Sequence, residues 1–245
     1  MRSGRSFALS RGVTLKRDEQ MTRFGDGWII SQRGGFTPCP WAFELAHFTP
    51  ARPGDRVLDL GVGAGALLLA IHQIYPDLAT LVGIEQDERT ALQARRNFVL
   101  QGQTNSTVIV GDIRDTPAHP SFDIVVSNPP FYPEGWGRTS KDERTARSTH
   151  ALNGDVGDFV RVAAQSIVPQ GQIIFLFDGS RVRDVLVAFG EAGLTVKAIR
   201  FLEDDRGQPA RVLIRGALGG TGVLVEHQAY TRLDKEKSKE EGPLN

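Results

Sequence analysis

The sequence predicts an α/β fold in which a mostly parallel sheet is covered by helices on both faces. Strand-like and helix-like segments alternate between residues 56 and 192, and this alternation is typical of strands that pair in parallel. A glycine-rich turn joins the first of these strands to the helix that follows it. Beyond residue 202, strand-like segments follow one another with no helix between them. We therefore expect an antiparallel hairpin to close the sheet at its C-terminal end.

The first 35 residues are expected to form a basic N-terminal arm on the substrate side, partly ordered over residues 1–20. Trp41, Leu45 and Phe48 then lie at helical spacing, which predicts a helix within residues 36–49. The other predicted helices are Ala66–Ile74, Glu88–Leu100, Asp155–Ile167 and Arg181–Ala192.

The predicted strands alternate with those helices and then continue without them. They are Arg56–Leu60, Thr80–Glu85, Thr107–Val110, Phe122–Ser127, Gln172–Phe177, Thr195–Leu202, Arg211–Arg215 and Val223–His227. Residues 216–222 contain four glycines and are predicted as the turn of the hairpin. We expect one Rossmann-like domain over residues 36–233 with a seven-stranded sheet, followed by a disordered charged tail over residues 234–245.

Composition limits the classes of function. A chain of 245 residues suits one α/β domain. Basic and acidic residues number 29 each, so the neutral chain has no global attraction for nucleic acid or anionic membranes. The single cysteine, Cys39, excludes an internal disulfide and a multi-cysteine metal site, and we expect it to be buried or incidental. No apolar stretch is long enough to span a bilayer or act as a secretory signal, so we expect a cytoplasmic protein. We also expect a monomer that binds no metal.

A cofactor loop is predicted between Asp59 and Gly65, directly after the first strand of the alternating series. Gly61, Gly63 and Gly65 let the backbone turn tightly and let a ligand lie against the main chain. A nicotinamide cofactor is the main alternative. Its fingerprint is Gly-x-Gly-x-x-Gly, however, and here the third glycine comes one residue early. An acid at Asp59 is also unusual beside a pyrophosphate, whereas it suits the ammonium and sulfonium groups of S-adenosylmethionine (SAM).

Two further acids end the next strands of the predicted sheet. Glu85 lies twenty residues beyond Gly65, and a carboxylate there can accept both ribose hydroxyl protons of an adenosine. Asp112 follows the third strand and is placed to meet the adenine amine. Open α/β sheets bind ligands at the carboxyl ends of their strands. The sequence therefore predicts that these acids and the glycine loop bind SAM.

The motif Asn-Pro-Pro-Phe-Tyr at residues 128–132 follows the fourth predicted strand. An exocyclic amine on adenine is a poor nucleophile because its lone pair is delocalised into the ring. The side-chain carbonyl of Asn128 and the backbone carbonyl of Pro129 can each accept a hydrogen bond from one N–H of this amine. These two hydrogen bonds would free the lone pair. Pro130 restricts the backbone before it, and Phe131 can stack on the base. In isolation the motif is more typical of a proline-rich turn that ends a strand, but after a cofactor loop it predicts methyl transfer to a planar nitrogen.

The polar loop over residues 128–153 carries four basic residues: Arg138, Lys141, Arg144 and Arg147. One interpretation is a flap that grips the phosphates of an RNA substrate, since a loop of this length beside a catalytic motif is rarely without function. The other interpretation is a solvated loop. His150 is more typical of a surface position than of a catalytic base.

Together, the two motifs resemble those of class I methyltransferases of the Asn-Pro-Pro-Tyr type, over roughly residues 54–215. Within that group the chain is most similar to bacterial enzymes that methylate N6 of an adenosine beside the anticodon of a valine tRNA. The resemblance implies two sets of site residues. SAM would be bound by Asp59, Gly61, Gly63, Glu85 and Asp112, and the adenine would be held by Asn128, Pro129, Pro130 and Phe131. We also expect Gly65 and Asn128 at the cofactor and Tyr132 at the substrate.

The sequence departs from this family at two places and leaves alternatives open. The family's Tyr-Arg-Phe-Gly-Thr-Asp stretch appears here as Gly35 to Pro40, and Phe131 replaces the tyrosine of the motif. A protein glutamine-amide methyltransferase or an rRNA base methyltransferase uses similar chemistry, although the former group usually has a larger, helical N-terminal domain. A non-catalytic SAM-binding protein is disfavoured because Asn128 is intact.

Overall fold

The structure is a computed structural model. It describes residues 8, 11–33, 39, 41–115, 121–129, 155–203, 207, 209–220 and 224–229. The strands are β1 (Glu19–Phe24), β2 (Gly27–Gln32), β3 (Arg56–Leu60), β4 (Thr80–Glu85), β5 (Ser106–Val110), β6 (Phe122–Ser127), β7 (Ile167–Asp178), β8 (Leu194–Glu203), β9 (Pro209–Leu218) and β10 (Leu224–Ala229). The helices are α1 (Ala42–Phe48), α2 (Ala66–Ile74), α3 (Glu88–Gln101), α4 (Val156–Ser166) and α5 (Val182–Glu191).

The main sheet has the order β10-β8-β9-β7-β6-β3-β4-β5. Strand β9 pairs antiparallel with both β7 and β8, and the other neighbours pair in parallel. This confirms the predicted α/β class with its mostly parallel sheet and antiparallel C-terminal strands. The carboxyl ends of β3, β4, β5 and β6 therefore lie along one edge of the sheet, which we call the carboxyl edge.

The C-terminal strands differ in detail from the sequence-based expectation. The antiparallel hairpin is formed by β8 and β9, whereas the glycine-rich segment at residues 216–222 does not join neighbouring strands. Strand β9 lies between β7 and β8 and uses both of its edges, so β10 does not pair with β9 and pairs instead with the open edge of β8. The main sheet consequently has eight strands, one more than expected.

Alternating residues of the central strands supply the cores on the two faces. On one face Val57, Val126 and Ile174 pack with α1, α2 and α3; on the other, Val125 and Phe175 pack with α4 and α5. This alternation is what the period of a strand requires when helices cover both faces. No described helix is long and apolar enough to cross a membrane.

A two-stranded antiparallel sheet, β1–β2, occupies part of the segment expected to be a simple arm. The open edge of β2 is bound by three amide side chains of α3 spaced four residues apart, Gln93, Asn97 and Gln101. They hydrogen-bond to the backbone of Ile30 and Trp28. The backbone of β2 is thus joined to the side chains of α3. The domain boundary proposed near residue 35 remains a prediction.

Candidate active site

The predicted cofactor loop joins β3 to α2 at the carboxyl edge. The backbone N–H groups of Gly61 and Val62 donate to the carbonyl oxygen of Ile84 at 2.9 and 3.0 Å, which folds the loop over the end of β4. Gly61, Gly63 and Gly65 all have positive φ, at 77°, 55° and 89°. A Cβ atom on Gly63 would meet open space, whereas one on Gly65 would lie 2.8 Å from the ring of Phe98. The loop therefore needs glycine for its conformation and leaves space above Gly63.

Glu85 ends β4 beneath this loop. Its Oε2 accepts the backbone N–H of Gly63 at 3.0 Å, and its Oε1 accepts the N–H of Asp87 at 2.9 Å. Burial raises the pKa of Glu85, and these two N–H groups oppose the rise. Because each carboxylate oxygen has a second lone pair, both can accept a further hydrogen bond from a ligand hydroxyl.

Asp59 lies in β3 at the base of the loop and is 1% exposed. Its Oδ1 has no hydrogen-bond partner among the described residues. Burial raises the pKa of Asp59 well above its ordinary value, and the nearby Glu85 raises it further. A buried acid of this kind is stabilised in its charged form by a cationic ligand. The site thus fits a cofactor with a positively charged end and ribose hydroxyls.

Asp112 follows β5 on the same edge, and its neighbour Gly111 donates its N–H to the carbonyl oxygen of Glu85 at 3.0 Å. The carboxylate of Asp112 accepts the backbone N–H of Arg114 at 2.8 Å and the Nε–H of Arg114 at 3.0 Å. These hydrogen bonds lower the pKa of Asp112, so it is ionised at neutral pH. Sequence reasoning did not identify Arg114, although its position two residues after a predicted site acid was a usable signal.

Asn128 follows β6, which is fastened to the loop strand because Ser127 Oγ donates to the carbonyl oxygen of Leu60 at 2.7 Å. Asn128 Nδ2 donates to the Sγ of Cys39 at 3.4 Å. Asn128 Oδ1 is buried and has no hydrogen-bond partner within the described part of the chain. Cys39 is therefore part of this site, which the sequence did not indicate.

The structure places Asp59, the glycine loop, Glu85, Asp112 and Asn128 at one edge of the sheet, as predicted. Pro129 is buried directly after Asn128. The remaining predicted site residues lie outside the described ranges: Pro130, Phe131, Tyr132, Arg138, Lys141, Arg144 and Arg147.

With this geometry in place, comparisons with known proteins are informative. The family model described as the methyltransferase small domain matches residues 43–178. The tRNA1(Val) (adenine(37)-N6)-methyltransferase of Cronobacter sakazakii is 30% identical over 174 residues, which cover 69% of this chain and 70% of that protein. The protein of the same name from Aeromonas hydrophila is 27% identical over 191 residues, which cover 76% of this chain and 80% of that one.

Other relatives of the same name are matched over 49% to 59% of their own length. Among solved structures, M. jannaschii TYW2 in complex with AdoMet is similar in fold, with a TM-score of 0.58 at 13% identity. That similarity covers 83% of this chain and 87% of the other.

Proposed function

The chain belongs to the methyltransferase small domain family and uses S-adenosylmethionine, and from this premise we propose that it methylates the exocyclic N6 nitrogen of an adenosine in tRNA. Its similarity to proteins named for that reaction in two bacteria supports the proposal. The structural observation that carries it is the buried Oδ1 of Asn128 at the carboxyl edge, beside the cofactor loop, which has no hydrogen-bond partner among the residues that the structure describes.

The oxygen of Asn128 matters because the N6 amine must be activated as a nucleophile. A buried carbonyl oxygen without a partner is costly, and an N–H donor from a substrate relieves that cost. In this proposal Asn128 Oδ1 accepts a hydrogen bond from one N6–H group, and the backbone carbonyl oxygen of Pro129 accepts a hydrogen bond from the other. The nitrogen is thereby drawn toward tetrahedral geometry, and its lone pair becomes available for attack.

The cofactor would be held by the acids of the carboxyl edge. Asp59 would balance the positive charge of the methionine end. Glu85 would accept hydrogen bonds from the ribose hydroxyls, and Asp112 would accept one from the adenine amine. When bound, SAM would supply a methyl group from its sulfonium sulfur, which would keep the electron pair of the broken carbon–sulfur bond as the acceptor nitrogen forms its new bond to carbon. The chain's contribution is mostly to position both reactants, and the methylated nitrogen then releases one proton to solvent.

Transfer of labelled methyl from SAM tests this function. The purified protein would be incubated with total RNA and, separately, with total protein from a strain that lacks the gene. We expect label in the tRNA fraction, recovered as N6-methyladenosine after digestion to nucleosides. Label confined to ribosomal RNA would redirect the proposal to an rRNA base, and label confined to protein would overturn it.

A protein glutamine amide is the second candidate acceptor, because a planar amide nitrogen presents the same two N–H groups to Asn128 and Pro129. The β1–β2 sheet disfavours it, since the segment before the cofactor loop contains strands where that group usually has helices. The protein arm of the labelling experiment distinguishes the two acceptors.

The RNA would be gripped by local basic segments, because the whole chain is neutral. We propose the arm before Asp18 and the basic residues of the loop after the motif: Arg138, Lys141, Arg144 and Arg147. Each phosphate neutralised in a single-stranded region adds roughly −0.7 to the slope of log affinity against log salt. Replacing the four loop residues with Ala should weaken RNA binding and flatten that slope without changing SAM binding. An unchanged slope would remove the loop from the RNA site.

A further inference from the structure

Cys39 lies next to the proposed catalytic amide, although the two residues are far apart in sequence. Its sulfur accepts a hydrogen bond from Asn128 Nδ2 at 3.4 Å, and its backbone carbonyl oxygen accepts the N–H of Ala42, the first residue of α1, at 3.1 Å. Asp59 and Arg211 are the charged groups that act on the thiol. Cys39 thus connects the first turn of α1, through its backbone, to the residue that follows β6, through its sulfur.

The contact decides which end of the Asn128 amide faces the substrate. An asparagine amide has a donor end and an acceptor end, which differ little in shape. Activation of an amine requires the acceptor end, because the donor end would repel the amine protons. With its NH2 group bound to sulfur, Asn128 presents Oδ1, and that oxygen has no other partner in the described chain.

We propose that Cys39 is a positioning residue for methyl transfer, whose sulfur holds the NH2 group of Asn128 so that Oδ1 is directed at the acceptor nitrogen. This proposal rests on the function proposed above. It assigns a role to the residue that stands in the stretch where this sequence departs from its family.

The surroundings of the thiol suit this passive role. Burial raises the pKa of Cys39 to about 11, so the thiol is neutral at physiological pH. A neutral sulfur is a weak acceptor that can bind the amide without adding charge beside Asp59. The thiol is also a poor nucleophile in this state, because nucleophilic attack requires the thiolate.

Two substitutions separate hydrogen bonding from packing. Cys39→Ala and Cys39→Ser both remove the volume of the sulfur, but only the serine keeps an acceptor near Asn128 Nδ2. Misplacement of a reacting group can cost as much as about a hundredfold, so we expect kcat to fall roughly ten- to a hundredfold in Cys39→Ala. The Kd for SAM should be unchanged, and Cys39→Ser should recover most of kcat. Equal losses in the two variants, or full activity in Cys39→Ala, would overturn the proposal.

A double-mutant cycle and a spectroscopic measurement complete the test. In an Asn128→Ala background, Cys39→Ala should cost nothing further, because the sulfur acts only through the amide. The side-chain NH2 resonances of Asn128, observed by NMR in the wild-type protein, should shift and exchange faster with solvent in Cys39→Ala but not in Cys39→Ser. Unchanged resonances would refute the contact. This measurement needs no acceptor substrate, so it tests the contact between Cys39 and Asn128 separately from the proposed function.

Discussion

The two sides of the candidate site are built differently. On the cofactor side, both oxygens of Glu85 accept backbone N–H groups, and the amides of Gly61 and Val62 are bound to β4. On the acceptor side, Asn128 has one hydrogen bond to a sulfur and a buried oxygen with no partner in the described chain. The loop and Glu85 on the cofactor side are thus held in shape by the chain's own hydrogen bonds. Each side also has one buried acceptor without a partner among the described residues, Asp59 Oδ1 on the cofactor side and Asn128 Oδ1 on the acceptor side. Leaving such an acceptor unpaired costs on the order of 1–3 kcal/mol.

Asn97 connects the cofactor side of the site to the N-terminal hairpin. It is fully buried in α3, accepts the N–H of Ile30 at 2.7 Å, and donates to the carbonyl oxygen of Ala64 in the cofactor loop at 2.9 Å. One side chain thereby joins β2 to the loop. The cofactor loop is braced from both the main sheet and the N-terminal hairpin, whereas the residue after β6 is braced through Ser127 and Cys39.

The largest effect should come from Asn128→Ala. If the acceptor side acts only on the substrate, kcat should fall by at least about a hundredfold, which is the usual cost of losing one group that stabilises a transition state. The Kd for SAM, measured by calorimetry, should stay close to that of the wild type. A variant that keeps most of its kcat would show that Asn128 is not needed for methyl transfer. A variant that loses SAM binding instead would show that Asn128 belongs to the cofactor side.

Glu85→Ala should produce the opposite pattern. The change leaves ribose hydroxyls and the N–H groups of Gly63 and Asp87 without an acceptor, so SAM affinity should fall roughly 5- to 150-fold, or about 1–3 kcal/mol. At saturating SAM the loss in kcat should be small by comparison. Glu85→Gln is the matched control, because it keeps one acceptor oxygen and should bind SAM better than Glu85→Ala. Unaltered SAM affinity in Glu85→Ala would show that Glu85 does not contact the cofactor.

The cofactor side was predictable because it depends on neighbouring residues in sequence. The spacing of Asp59, the three glycines and Glu85 describes a strand, a tight turn and the end of the next strand, and the structure has those elements at those residues. The β1–β2 hairpin was missed, although Gly25 and Asp26 between two short strands are a known turn signal. Both features are local patterns, in which residues close in sequence determine the turn between two neighbouring elements.

The contact between Cys39 and Asn128 was not predictable in this way. It joins residues 89 positions apart, and nothing in the local sequence of Cys39 indicates which buried surface it meets. The place of β10 beside β8 was missed for a similar reason. Strand order depends on which edges remain open after β9 has paired, and this is decided by the whole sheet.

Asp59→Asn tests whether the buried carboxyl group of Asp59, on the cofactor side, titrates with a raised pKa. Because burial raises the pKa of Asp59, the folded protein keeps its proton at pH values where the unfolded chain has lost it. The contribution of Asp59 to stability is therefore complete below its ordinary pKa and is lost as pH rises through the raised value.

The asparagine does not titrate, so without SAM the variant should gain stability relative to the wild type as pH rises. The gain should be absent below the ordinary pKa of an aspartate and should grow as pH rises toward the raised pKa of Asp59. Urea unfolding at several pH values measures this difference, and SAM affinity should fall in the same variant. A difference that does not grow with pH would mean that Asp59 is not a buried, titrating acid.

The smallest effect should come from Arg56→Ala, at the amino end of β3 and away from both sides of the site. Arg56 Nε lies 3.1 Å from Asp123 Oδ2, and the side chains are 43% and 32% exposed. Exposed ion pairs contribute at most about 1 kcal/mol. The backbone N–H of Arg56 still donates to Asp123 at 2.9 Å in the variant, so the carboxylate keeps a partner. We expect a loss of stability of at most about 1 kcal/mol in urea unfolding, with SAM affinity and kcat unchanged. A fall in kcat would mean that the amino edge of the sheet also affects methyl transfer, in addition to the cofactor and acceptor sides of the site.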